Sequence, residues 1–275
     1  MRGMIERMDQ LSELRKLVRD KGKNGICLAF SGGVDSAVLL KVASEAGVPL
    51  LAVTFHTMLH PAADTQAAKK IAEEMGAEHL VLEIDEFQNP KVMENPPDRC
   101  YHCKYMLFEQ LVHVAQERRL ACVMDGTNLD DLSEYRPGLR ALEEWGVLSP
   151  LAACKLGKAE VREIAAELGL SVATKPSSPC MATRFPYGQL LSRELLRQAE
   201  DAEAALKELG FYNVRVRCHN GIARIEVDQE ALTDALKKKD KICTALKECG
   251  FDYVTLDLEG FRSGSMDLHI KTDET

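Results

Sequence analysis

Between about residue 24 and residue 180 the chain alternates short apolar runs with helical segments, and this alternation restricts the fold more than any other feature. Strands that are apolar throughout are typical of parallel sheets with both faces covered. The pattern therefore predicts an α/β domain with a doubly wound parallel sheet. The predicted strands are 25–30, 49–55, 79–84 and 121–126, and the predicted helices are 34–46, 61–76 and about 100–118.

After about residue 184 the pattern changes to that of a smaller α+β domain. Asn220-Gly221 lies between two alternating runs, and an Asn-Gly pair in this position is a strong signal for a β-hairpin. We therefore predict a first domain at 1–184 and a second at 185–275. The predicted elements of the second are a helix at 192–210, strands at 211–217 and 222–227, a helix that Asp228 caps and that runs towards Cys249, and a strand at 252–258.

The charge balance limits the class of partner. The chain has 35 basic and 43 acidic residues, a net charge of −8, and no dense run of lysine or arginine. Proteins that bind nucleic acid through its phosphates usually carry the opposite sign or a concentrated basic face. Long polyanions are therefore excluded as expected partners, whereas a small phosphorylated ligand needs only a few local donors.

The cellular compartment is also indicated by the sequence. No apolar run approaches the roughly 18 residues that a membrane-spanning helix needs. Residues 1–20 carry charges throughout, so they are predicted to form an amphipathic helix rather than a signal or transit peptide. Nine cysteines without a secretory signal indicate reduced thiols, metal binding or catalysis rather than disulfides. We therefore expect a cytoplasmic protein with no membrane partner.

The segment Ser31-Gly32-Gly33-Val34-Asp35-Ser36, between the first predicted strand and the first predicted helix, has the properties of an anion-binding loop. Gly32 and Gly33 let the backbone approach an anion closely. The amides of the helix N-terminus then point at its charge. Ser31 and Ser36 offer hydroxyl donors, and Asp35 is placed to help hold Mg²⁺. No lysine follows the glycines, which excludes a Walker A loop.

This SGGVDS segment resembles the PP-loop of the ATP pyrophosphatases, which include GMP synthetase, argininosuccinate synthetase and tRNA-thiolating enzymes. In that superfamily the loop grips pyrophosphate as the leaving group while a substrate oxygen attacks the α-phosphate. The resemblance therefore implies adenylation of a substrate, with ATP converted to AMP and pyrophosphate.

Further segments narrow the resemblance to the LarE family, the sulfurtransferases that build the nickel-pincer nucleotide cofactor of lactate racemase. The resemblance runs from about residue 10 to about residue 270, and the segments at 125–131 and 175–184 are more specific than SGGVDS alone. The segments that carry it are Arg99-Cys100-Tyr101-His102-Cys103-Lys104, Asp125-Gly126-Thr127-Asn128-Leu129-Asp130-Asp131, Tyr135-Arg136-Pro137-Gly138 and Lys175-Pro176-Ser177-Ser178-Pro179-Cys180-Met181-Ala182-Thr183-Arg184.

The resemblance implies a substrate, cofactors and partners. ATP with Mg²⁺ would adenylate a carboxylate of pyridinium biscarboxylic acid mononucleotide, and a sulfur nucleophile would displace AMP to leave a thiocarboxylate. The chain would form homo-oligomers, with hexamers as the family precedent, and would hand its product to the nickel-inserting enzyme of the pathway. The implied site residues are Thr54 and Phe55 beside the adenosine, Glu203, Arg217 and Asp234 near the sulfur donor, and Arg184 and Arg215 as phosphate contacts.

Two alternatives remain for the source of the sulfur: Cys180 itself or a hydrosulfide bound to a cluster. In the simplest family members the cysteine that matches Cys180 attacks and loses its own sulfur, leaving dehydroalanine. This chain also has Cys100 and Cys103 in a C-x-x-C at a predicted helix start. Three thiolates suit a [4Fe–4S] cluster with one open iron that binds a hydrosulfide. An ordinary pair of helix cysteines and a redox pair are the alternatives for Cys100 and Cys103.

Other side chains are weaker candidates. Arg215 and Arg217 alternate with apolar residues, so they share one strand face and either bind a phosphate or form a solvated surface. Gly126 and Asn128, with Asp125 and Thr127, follow a strand at the end where open α/β sheets bind ligands. Among the remaining cysteines, Cys27 and Cys122 are predicted to pack in the core, Cys154 is ambiguous, and Cys218, Cys243 and Cys249 are assigned no chemistry.

Two other functions fit part of this pattern. A tRNA thiolase would share the loop and the three cysteines, but the sequence lacks a strongly basic surface and a recognisable RNA-binding module. A non-enzymatic nucleotide-binding module would use the second domain for assembly. An amide-forming synthetase is disfavoured because nothing indicates a glutaminase domain or an ammonia channel.

Overall fold

The computed structural model describes residues 2–133, 136–176, 179–262 and 264–267 of the chain. Ser177, Ser178 and Tyr135, which belong to segments named above, lie outside the described residues. In the described ranges no helix combines the length and the apolar character needed to cross a bilayer.

The chain forms seven strands and eleven α-helices within these ranges. The strands are β1 Ile26–Ala29, β2 Leu50–His56, β3 Glu78–Glu83, β4 Cys122–Met124, β5 Val214–His219, β6 Ile222–Val227 and β7 Tyr253–Leu256. The helices are α1 Arg2–Gly22, α2 Val34–Glu45, α3 Ala62–Glu74, α4 Pro90–Met93, α5 Arg99–Glu117, α6 Gly138–Glu144, α7 Pro150–Ala153, α8 Lys158–Glu167, α9 Arg193–Glu208, α10 Leu232–Lys237 and α11 Lys239–Glu248.

These elements form two compact units. The first contains residues 1–57, 62–85 and 98–178, and the second contains 58–61, 86–97 and 179–275. Three short segments that the sequence prediction placed before residue 184 thus belong to the second unit. The predicted domain boundary at 184 stays a prediction.

The first unit is built on a parallel sheet with the strand order β3-β2-β1-β4. Ile26 and Leu28 of β1 belong to a buried cluster that includes residues of α1, α2, α3 and α8. Cys27, between them, points to the other face, where its Sγ approaches the carbonyl of Leu111 in α5 at 4.0 Å. Helices therefore cover both faces of the sheet, as the uninterrupted apolar strands predicted, and the α/β fold class is confirmed.

The second unit contains a smaller mixed sheet with the order β5-β6-β7. The hairpin between β5 and β6 is confirmed, because Asn220 and Gly221 have φ values of 46° and 85°, which a type I′ turn requires at both positions. β6 and β7 pair in parallel. β5 begins three residues later than predicted because Phe211 still bonds to Leu206 at the end of α9.

The helix predicted after Asp228 is wrong in two respects. The chain forms a 3-10 turn at Gln229–Ala231 and then two helices, α10 and α11, rather than one. Asp228 makes no side-chain cap, because its carboxylate accepts a hydrogen bond from Asn213 Nδ2 at 2.8 Å instead. Competition from a residue on a different element is invisible to a local capping rule.

Candidate active site

The phosphate loop, residues 31–36, connects β1 to α2 in the first unit. Gly32 has φ 69°, and a Cβ at this position would lie only 2.9 Å from the Cα of Ala68 in α3. Gly33 precedes the helix with extended backbone. The first amides of α2 have no intrahelical partner, so the loop presents donors to an anion at a point that only glycine permits.

The two serines of the loop hold its shape. Ser36 Oγ accepts a hydrogen bond from the Ser31 amide at 3.3 Å and donates to the carbonyl of Gly33 at 3.1 Å. Ser31 Oγ lies 3.1 Å from Ser36 Oγ and accepts from the Gly33 amide. The hydroxyl of Ser36 thus stabilises the backbone conformation of the loop, a role that the sequence did not indicate.

The carboxylate of Asp35 binds two other side chains. Asn128 Nδ2 donates to Asp35 Oδ1 at 3.2 Å, and Lys158 Nζ forms an ion pair with the same carboxylate. Lys158 is the first residue of α8, and its amide is held by Asp130 at 2.8 Å. Sequence reasoning missed Lys158 because a lysine at the start of an amphipathic helix carries no local signal.

The segment after β4 lies against the first turn of α2. A Cβ on Gly126 would be 3.0 Å from the amide nitrogen of Ser36, so glycine allows this approach. Asp125 is buried and accepts hydrogen bonds from the hydroxyls of Thr127 and Ser149. β1 and β4 are neighbours at the point where the winding of the sheet reverses, which is the expected ligand position of this fold class.

Thr54 and Phe55, at the end of β2, face opposite sides of the sheet. Thr54 Oγ1 donates to the carbonyl of Phe30 at 2.6 Å and lies 2.8 Å from His79 Nε2. Phe55 packs against Phe108 of α5 with ring centroids 6.0 Å apart. Thr54 therefore braces the strand that leads into the phosphate loop.

The environment of His79 makes the free energy of unfolding depend on pH. Burial lowers the pKa of this imidazole, Glu73 raises it and Lys69 lowers it. Because the unfolded chain binds a proton more readily than the folded protein, the stabilising contribution is complete above the ordinary pKa and is lost as the pH falls below it. We expect the free energy of unfolding in urea to decrease from pH 7.5 to pH 5.5 less steeply in His79→Gln than in wild type. An identical decrease would contradict this assignment.

In the second unit Cys180 stands directly before a 3-10 turn at Met181–Arg184. The Met181 amide donates to the carbonyl of Leu59 at 2.8 Å, within the same unit. Cys180 is half-buried, unlike Met181 and Ala182 beside it, which are buried. The turn thus places the cysteine at the edge of the core of this unit.

Two buried ion pairs lie next to this turn. Arg184 binds Glu203 of α9 through both carboxylate oxygens, at 2.7 and 2.8 Å. Arg217 binds Glu226 across the β5–β6 pair at 3.0 and 2.7 Å. All four of these residues are at most 5% exposed, so the alternative of a solvated strand face is wrong for Arg217.

Arg215, two residues along the same strand, is also buried. Its Nη1 donates to the carbonyl of Val214 at 2.8 Å, and its guanidinium lies 5.1 Å from the ring centroid of Phe261. Burial lowers the pKa of Arg215, with Arg184 as the next cause. An anion bound beside Arg215 would offset both effects.

Asp234 has different surroundings. It is half exposed, forms an ion pair with Lys238 at 2.8 Å, and lines an open surface pocket of about 360 Å³ with Tyr212 and Asp228. Its predicted role near the sulfur donor stays a prediction.

Cys100 and Cys103 lie in the first turns of α5, one helical turn apart. Arg99 Nη2 lies 3.7 Å from Cys100 Sγ. This pair belongs to the first unit and Cys180 to the second. Among the described residues, no three His, Cys, Asp or Glu side chains form a group that could hold a metal ion.

The other cysteines differ in how strongly burial affects them. All nine lie within the described ranges, and none forms a disulfide. Burial raises the pKa of Cys27 and of Cys218 to about 12, and that of Cys154 to about 11. These three thiols stay protonated at neutral pH and are poor nucleophiles.

Comparisons with known proteins agree with this geometry. A family described as a PP-loop domain matches residues 7–136. The chain is 39% identical, over 88% of each chain, to pyridinium-3,5-bisthiocarboxylic acid mononucleotide synthase of Lactiplantibacillus plantarum. It is 39% identical to an uncharacterized protein of Synechocystis, over 87% of this chain and 90% of the relative. A tRNA-specific 2-thiouridylase of Zymomonas mobilis is 30% identical over 64% of this chain and 58% of its own.

Proposed function

Since the chain belongs to the family of pyridinium-3,5-bisthiocarboxylic acid mononucleotide synthases, we propose that it is an ATP-dependent sulfurtransferase that converts a carboxylate of pyridinium biscarboxylic acid mononucleotide to a thiocarboxylate. A carboxylate oxygen attacks the α-phosphorus of ATP and pyrophosphate leaves. A sulfur nucleophile then attacks the carbonyl carbon of the acyl adenylate, and AMP leaves. Activation is needed because a carboxylate has no good leaving group. The glycine-dependent geometry of the phosphate loop is the observation that carries this proposal.

For the ATP half of the reaction, the loop amides and Ser31 bind the phosphates, and Asp35 holds Mg²⁺. Magnesium would supply charge neutralisation on the phosphates. The ion pair between Lys158 and Asp35 supports a further donor, because Lys158 would be available to contact phosphate oxygens when Asp35 holds Mg²⁺. The end of β2, at Thr54 and Phe55, is proposed to lie beside the adenosine.

For the sulfur half, we propose Cys180 as the group that reacts. Its thiolate attacks the acyl adenylate, releases AMP and forms a thioester. Removal of the Cys180 α-proton then breaks the Cβ–S bond, so the sulfur leaves with the substrate as a thiocarboxylate and dehydroalanine remains. The protein loses the mass of one H₂S for each thiocarboxylate formed by this route.

The alternative sulfur source that we propose is a [4Fe–4S] cluster held by Cys100, Cys103 and Cys180, in which Cys180 would be a metal ligand and would keep its own sulfur. The spacing of Cys100 and Cys103 on one face of α5 supports two of the three ligands. When bound, this group would supply sulfide that can be renewed, whereas sulfur taken from Cys180 is consumed once.

We propose Arg215 as a contact of the substrate phosphate, on the ground that it is a buried cation. The phosphate contact at Arg184 and the place near the sulfur donor for Glu203, Arg217 and Asp234 stay predictions. We further propose a cytoplasmic homo-oligomer, of the hexameric kind, that hands its product to a nickel-inserting enzyme for use in lactate racemase.

The direct test is pyrophosphate release from ATP with the biscarboxylic mononucleotide as substrate. We expect AMP and pyrophosphate in equal amounts and a thiocarboxylate product detected by mass spectrometry. Release that depends on tRNA rather than on the mononucleotide would contradict the proposal. ATP binding without pyrophosphate release with any carboxylate would favour a non-enzymatic module.

Lys158→Met tests the ATP half. Loss of one phosphate donor is expected to lower kcat/KM for ATP by about 10- to 100-fold, since such contacts contribute a few kcal/mol in an active site. Lys41→Met is the matched control: Lys41 lies on α2, its side chain is 35% exposed like that of Lys158, and it pairs with Glu45. An equal decrease of kcat/KM for ATP in the two variants would show that Lys158 does not contact ATP.

Iron content tests the cluster. After anaerobic purification and reconstitution, about four irons with matching sulfide are expected per wild-type chain. Cys100→Ala is expected to lose most of this iron, whereas Cys243→Ala, at a half-buried position of α11, retains it. An iron-free, colourless wild type would exclude the cluster and leave Cys180 as the sulfur source.

A further inference from the structure

Cys180 is carried by a backbone turn whose carbonyl groups are bound by arginine. The carbonyl of Pro179 accepts a hydrogen bond from Arg184 Nη1 at 3.0 Å, and that of Cys180 accepts one from the same nitrogen at 3.4 Å. The carbonyl of Thr183 accepts one from Arg217 Nη1 at 3.0 Å. Charged donors thus fix three carbonyls of one short turn, and such bonds are stronger than neutral ones.

The other two nitrogens of Arg184 anchor its guanidinium to α9. Its Nε and Nη2 hold Glu203, and its Nη1 also donates to Thr183 Oγ1 at 3.1 Å. Glu203 Oε1 in turn accepts the amide of Val216 in β5 at 3.1 Å. The planar guanidinium therefore ties the turn to both α9 and β5, and each of its three nitrogens donates to a protein group.

We propose that Arg184, held by Glu203, is a positioning residue that fixes Cys180 for sulfur transfer. The inference rests on the proposed role of Cys180. Displacing a reacting group by about 1 Å can cost about 100-fold in rate, so a guanidinium that grips the carbonyl of the reacting residue acts directly on the rate of the sulfur step.

The test uses Arg184→Lys, which keeps the charge opposite Glu203 but cannot form the planar fork. Arg224→Lys is the matched control, because Arg224 also binds two carboxylates of this unit, the buried Glu226 and the half-buried Asp257. In single turnover we expect Arg184→Lys to slow thiocarboxylate formation about 100-fold, with pyrophosphate release changed by less than about threefold. Arg224→Lys is expected to leave the ratio of the two rates unchanged.

Two results would overturn the inference. A raised KM for the mononucleotide with an unchanged sulfur step would make Arg184 a substrate contact. If Arg184→Lys and Arg224→Lys lower the rate of thiocarboxylate formation relative to pyrophosphate release by the same factor, and lower Tm by matching amounts, Arg184 has a structural role only.

A second measurement does not depend on activity. Iodoacetamide labelling, read by peptide mass spectrometry, is expected to modify Cys180 about tenfold faster in Arg184→Lys because local opening of the turn becomes easier. Cys100 in the same molecule is the internal reference, and Arg224→Lys again serves as the control. An unchanged ratio of Cys180 to Cys100 labelling would refute the positioning role, even if wild-type protein formed no thiocarboxylate and the proposed function had failed.

Discussion

Cys180→Ala is expected to reduce thiocarboxylate formation by at least about 100-fold while pyrophosphate release continues at close to the wild-type rate. The reason is that adenylation uses the phosphate loop of the first unit, whereas the sulfur step needs the thiol. The measurement is single-turnover quantitation of pyrophosphate and of the product mass in the same reaction. In wild type, a protein mass lower by one H₂S would accompany turnover if the sulfur comes from Cys180 itself.

Cys249→Ala is the control for this experiment. Cys249 is half-buried in the second unit, as Cys180 is, and it lies at the end of α11. We expect its replacement to leave both steps unchanged. Sulfur transfer by Cys180→Ala at the wild-type rate would remove this cysteine from the chemistry, both as a sulfur donor and as a required metal ligand.

Gly32→Ala is expected to lower the rate of pyrophosphate release by about 100-fold. The new Cβ would meet the backbone of Ala68 at 2.9 Å, so the loop or α3 must move, and displacements of this size are costly in an active site. The left-handed backbone adds about 1–2 kcal/mol of destabilisation. Both effects are measured on one sample, as pyrophosphate release at saturating ATP and as Tm.

Gly47→Ala separates the two effects. Gly47 has φ 68°, close to the 69° of Gly32, but nothing lies within 4 Å of the Cβ that it would gain. It is expected to lower Tm through the same backbone strain and to leave pyrophosphate release unchanged. Pyrophosphate release at the wild-type rate by folded Gly32→Ala would show that the close approach to α3 is unimportant for ATP.

Features that depend on residues close together in the sequence were predicted correctly, whereas a feature that depends on a more distant contact was not. The parallel sheet followed from apolar strands alone, and the hairpin at Asn220-Gly221 followed from the φ preferences of two adjacent residues. The role predicted for Asp228 was wrong because Asn213, fifteen residues away, binds its carboxylate. Local preferences are readable from local sequence, whereas competition between distant polar groups is not.

The sequence by itself determined the fold class, the phosphate loop and the position of Cys180, because each depends on residue types at fixed local spacing. Only the tertiary structure decided that Lys158 pairs with Asp35 across 123 positions and that Glu203 holds Arg184. A charged side chain looks the same in a sequence whether it is solvated or buried. Its partner is selected by packing, since a buried charge is tolerated only where the fold brings an opposite charge or hydrogen-bonding groups to it.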